Sequence, residues 1–191
     1  MWGMAMRGII GGLVFAATVV MVTESATAKD LPEADCGRFA MALEYSPLFV
    51  ANGLLCHRSA EQLGQAEIIE AHGRSNFTFL RHLTADETAG ILPDDLEYFA
   101  DRIGFFRTTE KWGEAVRRGE FDSRAFGGVS LDRSVKGFEC VAFSRYSGTG
   151  AAPDSFRHEF IGLFCFESSK GPVPMDGALI DDFLKRLRLK F

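Results

Sequence analysis

The four histidines are the side chains of this sequence best suited to acid–base or metal chemistry: His57, His72, His82 and His158. No two of them stand four residues apart, the spacing that places two zinc ligands on one face of a helix. His72 follows Glu67 and Glu70 closely, so an acid–base pair or a metal site can be imagined there. A histidine near the end of a helix also interacts favourably with the helix dipole and needs no function. We therefore predict no metal site, no cofactor and no catalytic residue at these positions.

The sequence contains no clear motif of the kind that normally surrounds a catalytic serine. Neither G-x-S-x-G nor S-x-x-K occurs in a usable strand–turn–helix setting. Ser144 or Ser147 could act with His158 and Asp154 if two strands pair in the expected register. Any two-stranded hairpin places some polar residues opposite one another, so we favour a non-catalytic interpretation.

Other candidate binding motifs have simpler explanations. Gly148-Thr149-Gly150 could form an anion-binding nest, but a loop tip accounts for the same glycines. The basic segment Lys185–Lys190 could touch anionic lipid, yet bases at the end of a helix also complement its dipole. The acidic cluster has no calcium-loop spacing, and acids are common at helix starts. Its members are Asp86, Glu87, Asp94, Asp95, Glu97 and Asp101.

The cysteines form an even set of four, Cys36, Cys56, Cys140 and Cys165. In an exported protein such a set favours two disulfides, and the spacings are too long for a typical zinc site. Three connectivities are possible. We predict Cys36–Cys56 and Cys140–Cys165, because the second pair falls on two strand-like segments that can face one another.

The N-terminal residues 1–28 have the order of a cleavable secretory signal peptide. Arg7 precedes an apolar run from Gly8 to Val22, and Ala26-Thr27-Ala28 provides small residues before Lys29. The apolar run is shorter than the roughly 20 residues that span a membrane as a helix. We therefore predict cleavage and export to the periplasm or the extracellular space, with an uncleaved anchor as the alternative.

We interpret residues 29–191 as a single disulfide-stabilised globular domain. Its composition limits the classes of partner that it could bind. The formal net charge is −5, so nucleic acid is excluded as an expected partner because phosphate binding requires a concentrated basic face. No linker or repeat divides the segment, and no stable membrane span is expected after cleavage. The partner is unknown, with an envelope protein or a small-molecule ligand as the candidates.

Helices and strands alternate in the first half of the predicted domain. Ser59-Ala60-Glu61-Gln62 matches a capping box, which predicts a helix over residues 60–72. Alternating side chains predict a strand from Asn76 to Leu83, followed by a short helix that starts at Thr84 and ends before Pro93. An acidic start predicts an amphipathic helix after Pro93. Thr109–Arg118 is expected to contain helical turns, and residues 119–137 to be irregular.

The C-terminal part is expected to form a hairpin and a long helix. Gly137–Ser147 and Arg157–Ser168 are predicted to pair as antiparallel strands, with Cys140 opposite Cys165 and Ser147 opposite His158. An apolar stripe from Met175 to Phe191 predicts an amphipathic helix that packs on the sheet.

These elements predict an α+β fold in which several helices pack on a small antiparallel sheet that contains the C-terminal hairpin. Export and the lack of a catalytic motif favour a non-catalytic binding or envelope-accessory domain. The alternative is a small secreted hydrolase with a site assembled around His158 or His72.

Overall fold

Antiparallel β-strands dominate the structure, a computed structural model that describes residues 34–44, 54–73, 75–103, 106–130, 137–169 and 171–191. The predicted signal peptide, residues 1–28, lies outside these ranges. Within them, no helix has the length and apolar character needed to cross a membrane.

The described elements follow one another as ten strands, two α-helices and a 3₁₀ turn at Cys36–Arg38. The helices are α1 (Leu96–Arg102) and α2 (Gly177–Leu184). The strands are β1 (Met41–Leu43), β2 (Leu54–Glu61), β3 (Gly64–His72), β4 (Asn76–Ala85), β5 (Phe106–Arg118), β6 (Phe121–Ser130), β7 (Phe138–Thr149), β8 (Phe156–Glu167), β9 (Val173–Pro174) and β10 (Leu187–Leu189).

Two meanders meet in the main sheet, whose strand order is β2-β3-β4-β8-β7-β6-β5. All neighbours on this path are antiparallel, and β9 pairs in parallel with β7 beside it. A separate two-stranded sheet joins β1 to β10. Helix α2 packs against one face of the main sheet, the α2 face, and α1 packs against the opposite face, the α1 face.

Phenylalanine fills the core on both faces. On the α2 face, Phe143, Phe160 and Phe164 cluster with Phe183 of helix α2. On the α1 face, Phe126 and the disulfide-bonded pair Cys140–Cys165 cluster with residues of α1. The large apolar area removed from water on both sides stabilises the sheet as a central layer.

The predicted α+β fold is wrong, and the first error is the helix over residues 60–72. These residues form the end of β2, a two-residue turn and strand β3. The apolar residues Ala66 and Ile69 are three apart, which resembles a helix, but they lie on opposite faces of the sheet and both are buried. A strand covered on both faces loses the simple alternation that identifies strands in a sequence.

Three further segments also form strands or turns where other structure was predicted. Thr84 and Ala85 end β4 and are followed by a turn instead of a short helix. Thr109–Arg118 belongs to β5, and residues 121–130 form β6 within the segment expected to be irregular. Trp112 of β5 pairs with Phe126 of β6. Strand pairing, here between the consecutive strands β5 and β6, thus outweighs local helix preference.

The hairpin β7–β8 is confirmed in position and register. Val141 pairs with Phe164 and Ser147 with His158, as predicted, and β8 lies at the centre of the sheet. The structure contains both disulfide bonds, Cys36–Cys56 and Cys140–Cys165. The second lies at the open end of the hairpin, so it links the two strands where no loop joins them.

The C-terminal helix is shorter than predicted. Helix α2 packs on the sheet as expected and buries Ile180, Phe183 and Leu184, but it ends at Leu184. The chain then turns and Leu187 pairs with Leu43 of β1. This pairing satisfies backbone groups of β1 that a continued helix would leave without partners. The helix predicted after Pro93 is confirmed as α1, which Asp95 caps.

Candidate functional site

Two histidines that are distant in sequence meet on the α2 face. His82 lies on β4 and His158 on β8, and their strands are neighbours in the sheet. Thr84 is directly opposite His158, and Glu67 of β3 is directly opposite His82. Because side chains two residues apart share a face, His82 and Thr84 point the same way. The sheet therefore assembles four polar side chains from three adjacent strands.

Three polar atoms of this cluster are nearly equidistant from one another. His82 Nε2 lies 3.3 Å from His158 Nδ1. Thr84 Oγ1 lies 3.4 Å from each of these nitrogens. These contacts are all longer than the common hydrogen-bond distance of about 2.9–3.0 Å. The cluster is a triangle of two imidazole nitrogens and one hydroxyl.

Glu67 orients the His82 ring by contacting Nδ1, the ring nitrogen that points away from His158. Its Oε2 atom faces His82 Nδ1 at 3.5 Å and accepts a 2.8 Å hydrogen bond from the backbone N–H of Ala40. Its other oxygen accepts a 2.9 Å hydrogen bond from Arg58 Nη2. A carboxylate only accepts, so this arrangement assigns the proton of neutral His82 to Nδ1 and leaves the lone pair on Nε2.

The C-terminal residue covers the histidine rings. Phe191 stacks on His82 with ring centroids 4.1 Å apart and lies 5.3 Å from the ring of His158. The guanidinium of Arg145 lies 5.7 Å from the Phe191 ring centroid. The ring of Phe191 therefore packs against both imidazoles.

The cluster opens into a concavity of about 260 Å³, which we call the histidine pocket. Glu67, His82 and Thr84 form part of its wall, and His158 contacts two of these three side chains. The remaining lining residues are Ala40, Gln65, Ala85, Asp86 and Arg157. The pocket thus presents imidazole, hydroxyl, amide and charged groups to one small volume.

Both histidines favour the neutral form. Burial lowers the pKa of His82 below the usual 6.5, and the neighbouring His158 acts in the same direction while Glu67 opposes it. Burial also lowers the pKa of His158, and the charge of Arg157 adds to this effect. Neutral imidazoles offer lone pairs for a hydrogen-bond donor or a metal ion.

These lowered pKa values imply a pH-dependent stability. Above pH 6.5 both histidines are mainly neutral in the folded and the unfolded chain. Their contribution to the free energy of unfolding is then fully present. As the pH falls below 6.5, the unfolded chain binds protons first, so the free energy of unfolding decreases until the folded-state pKa values are passed. We expect urea unfolding to show a smaller decrease from pH 7.5 to 5.5 in His158→Asn than in the wild type.

The matched control for this comparison is His72→Asn, which alters a half-exposed histidine away from the pocket. Glu159 works in the opposite direction, because burial raises its pKa, but it is common to all three proteins. Equal pH slopes for the wild type and His158→Asn would contradict the expectation.

The other side chains considered as candidates for chemistry do not join this cluster. His72 lies 3.5 Å from Glu70 near the far end of β3, and His57 faces the α1 side because it pairs with Ile68. Ser144 lies on the α1 face, opposite Ile161. Ser147 shares the face of His158, but its buried hydroxyl has no hydrogen-bond partner. Asp154 is exposed in the loop, so the structure does not assemble the imagined triad.

The acidic, glycine and basic motifs have structural roles. Asp95 caps α1, Glu97 pairs with Arg124, and the backbone of Asp94 donates to Tyr146 Oη. Gly148 has a positive φ of 69° at the end of β7. Within the basic segment, Arg188 pairs with Glu44. Of the six members of the acidic cluster, Asp86 is the one that lines the histidine pocket.

A second polar cluster lies buried on the α1 face. Glu159 is only 1% exposed and accepts hydrogen bonds from Arg81 at 2.5 Å and Tyr146 at 3.3 Å. Burial raises the pKa of Glu159, although Arg81 opposes the shift. Because these groups contact one another and are largely closed to solvent, we assign them a structural role.

Sequence reasoning missed Glu67, His82 and Thr84 as partners of His158. Thr84 could not be paired with His82, because the predicted strand ended at Leu83 and a helix was expected to start at Thr84, whereas β4 continues to Ala85. Glu67 could not either, because the helix predicted over residues 60–72 removed it from the sheet.

Comparison with protein-family models, with curated protein sequences and with solved structures gave no match.

Proposed function

We propose that this chain is an exported, non-catalytic binding protein whose ligand site is the histidine pocket. The observation that carries the proposal is the mutual contact of His82, Thr84 and His158 beside an open concavity that His82 and Thr84 line, with Glu67 orienting His82. Neutral imidazoles offer lone pairs to a ligand bound there. The signal-like residues 1–28 and the two disulfides support export.

Binding is favoured over catalysis by the groups that face the pocket. Thr84 carries the only hydroxyl among the lining residues, and no cysteine or serine lines the pocket in the described part of the chain. Its Oγ1 atom is 3.4 Å from His82 Nε2, longer than the 2.6–3.2 Å typical of an activated nucleophile and its base. The cluster is suited to recognition by lone pairs and hydrogen bonds.

A small hydrolase is the second candidate, and the Glu67–His82 pair favours it. A carboxylate that orients an imidazole is the arrangement that supports a general base. The hydrolysis of p-nitrophenyl acetate tests this candidate. Turnover that is lost in His82→Asn and retained in His72→Asn would support the hydrolase, whereas turnover equal in all three proteins would exclude it.

Export gives a direct expectation for the mature chain. We expect full-length expression in a bacterial host to yield protein in the periplasmic or extracellular fraction with Lys29 as its first residue. Edman or mass-spectrometric analysis of the purified N-terminus measures this. Recovery of the intact chain in the membrane fraction would contradict cleavage and favour the anchored alternative.

Ligand binding is tested by nuclear magnetic resonance of the histidine rings. The probes are acetate, inorganic phosphate and Zn²⁺, which represent small oxyanions and divalent cations. We expect at least one class to shift the ring signals of His82 and His158 saturably, with His72 as the internal reference. If neither class changes these signals, the histidine pocket is not the ligand site and the proposed function fails.

A further inference from the structure

The three donor atoms of the histidine pocket have the mutual distances of ligands around one tetrahedral ion. With metal–ligand bonds of about 2.0–2.1 Å and tetrahedral angles, ligand atoms lie about 3.3–3.4 Å apart. The observed separations are 3.3 Å between the two nitrogens and 3.4 Å from each nitrogen to Thr84 Oγ1. All three edges of the triangle agree with this geometry and all are long for hydrogen bonds.

We propose that His82 Nε2, His158 Nδ1 and Thr84 Oγ1 bind a divalent transition-metal ion such as zinc. Imidazole is a preferred ligand of such ions. His82 and Thr84 both line the pocket, so water or a ligand group in the pocket can complete the coordination. This inference rests on the proposed function, because it names the ligand class of the same pocket.

Glu67 supplies the outer contact that metal-binding histidines usually have. A metal-bound imidazole commonly donates its other ring N–H to a carboxylate, which fixes the ring and raises its basicity. Glu67 faces His82 Nδ1 in this way and is itself held by Arg58 and the backbone of Ala40. His82 is therefore oriented for a metal before any metal arrives.

Charges near the pocket are balanced, because Glu67 and Asp86 are matched by the guanidiniums of Arg157 and Arg58. Attraction of a cation therefore depends on the lone pairs of the two neutral imidazoles. The described residues contain no group of three or more His, Cys, Asp and Glu side chains suited to a metal ion. The proposed site differs because its third donor is a hydroxyl, so weaker binding than in a three-histidine site is expected.

Zinc titration of the mature protein by calorimetry, with histidine ring spectra recorded in parallel, tests the proposal. We expect one Zn²⁺ per chain, with shifts of the His82 and His158 signals and none from Mg²⁺, which prefers oxygen ligands. His82→Asn and His158→Asn should each weaken binding at least tenfold. Glu67→Gln should weaken it about 10–100-fold, as for other outer contacts.

Matched variants separate ligation from folding. Thr84→Val removes the hydroxyl at similar size and should weaken zinc binding, whereas Thr84→Ser keeps the hydroxyl and should restore it. His72→Asn should leave the affinity unchanged. Circular dichroism identifies any variant that fails to fold, and the wild-type ring spectra locate the ion without a substitution.

The outcomes distinguish this inference from the proposed function. Saturable oxyanion binding at the two histidines without zinc binding overturns the metal site and leaves the binding protein intact. Zinc binding that is unaffected by both His82→Asn and His158→Asn also overturns it. If the ring signals respond to neither class of probe, both proposals fail.

Discussion

Replacing Phe183 with alanine should lower the free energy of unfolding by about 3–5 kcal/mol. Phe183 is fully buried between helix α2 and the sheet. Its ring stacks on Phe164 with centroids 4.3 Å apart and lies 5.6 Å from that of Phe143. Truncation removes the favourable free energy of burying the ring. It also leaves a cavity that the strands of the main sheet, held in place by their neighbours, cannot move to fill.

Urea unfolding followed by circular dichroism measures this loss, and Tyr98→Ala is its control. Tyr98 is an aromatic residue in helix α1 but is 57% exposed, so its truncation should change stability by about 0.5 kcal/mol or less. A loss below 1 kcal/mol in Phe183→Ala would contradict the role of α2 in the core. The variant should also weaken the packing of Phe191 on the two histidines, because α2 leads directly into the C-terminal strand.

Removing the Cys140–Cys165 disulfide should cost about 3.5 kcal/mol, within a range of 2–5 kcal/mol. The bond closes a segment with a sequence separation of 25, and both residues are fully buried. Without the bond, the unfolded chain gains the entropy of an open loop. The double variant Cys140→Ala, Cys165→Ala should still form the hairpin, since its strands pair along most of their length.

Cys36→Ala, Cys56→Ala is the matched comparison for this disulfide, because its sequence separation of 20 is similar. The loop-entropy argument assigns it a loss of about 3.3 kcal/mol. Urea unfolding of both variants, beside the wild type in the oxidised state, measures the two losses. A loss below 1 kcal/mol for Cys140→Ala, Cys165→Ala would show that the sheet alone constrains this segment.

The parts of the fold that were predictable depend on contacts between neighbours in sequence. Asp95 caps α1 through the N–H groups of the next residues, so the helix is encoded locally. The β7–β8 hairpin joins adjacent strands, and the two cysteines allow one register in which they face each other. Such elements carry their own signals, namely a cap, a loop and a cysteine pair.

The wrong assignments have two different causes, burial of a strand on both faces and pairing with a strand distant in sequence. Strand β3 is stabilised by β2 and β4 and is covered on both faces, so its apolar spacing resembles that of a helix. The end of the predicted C-terminal helix forms β10 because β1, far away in sequence, offers a pairing edge. Local propensity is weaker than such tertiary contacts, and a single sequence does not display them.

The histidine pocket divides in the same way. Local signals were enough to predict the β7–β8 register, which places His158 within the sheet, and the two cysteine pairs. The fold brings His82, Thr84 and Glu67 to that histidine, because the β4–β8 pairing joins strands more than 70 residues apart. Long-range strand pairing is stabilised by the burial of apolar surface over the whole sheet, and no spacing between nearby residues predicts it.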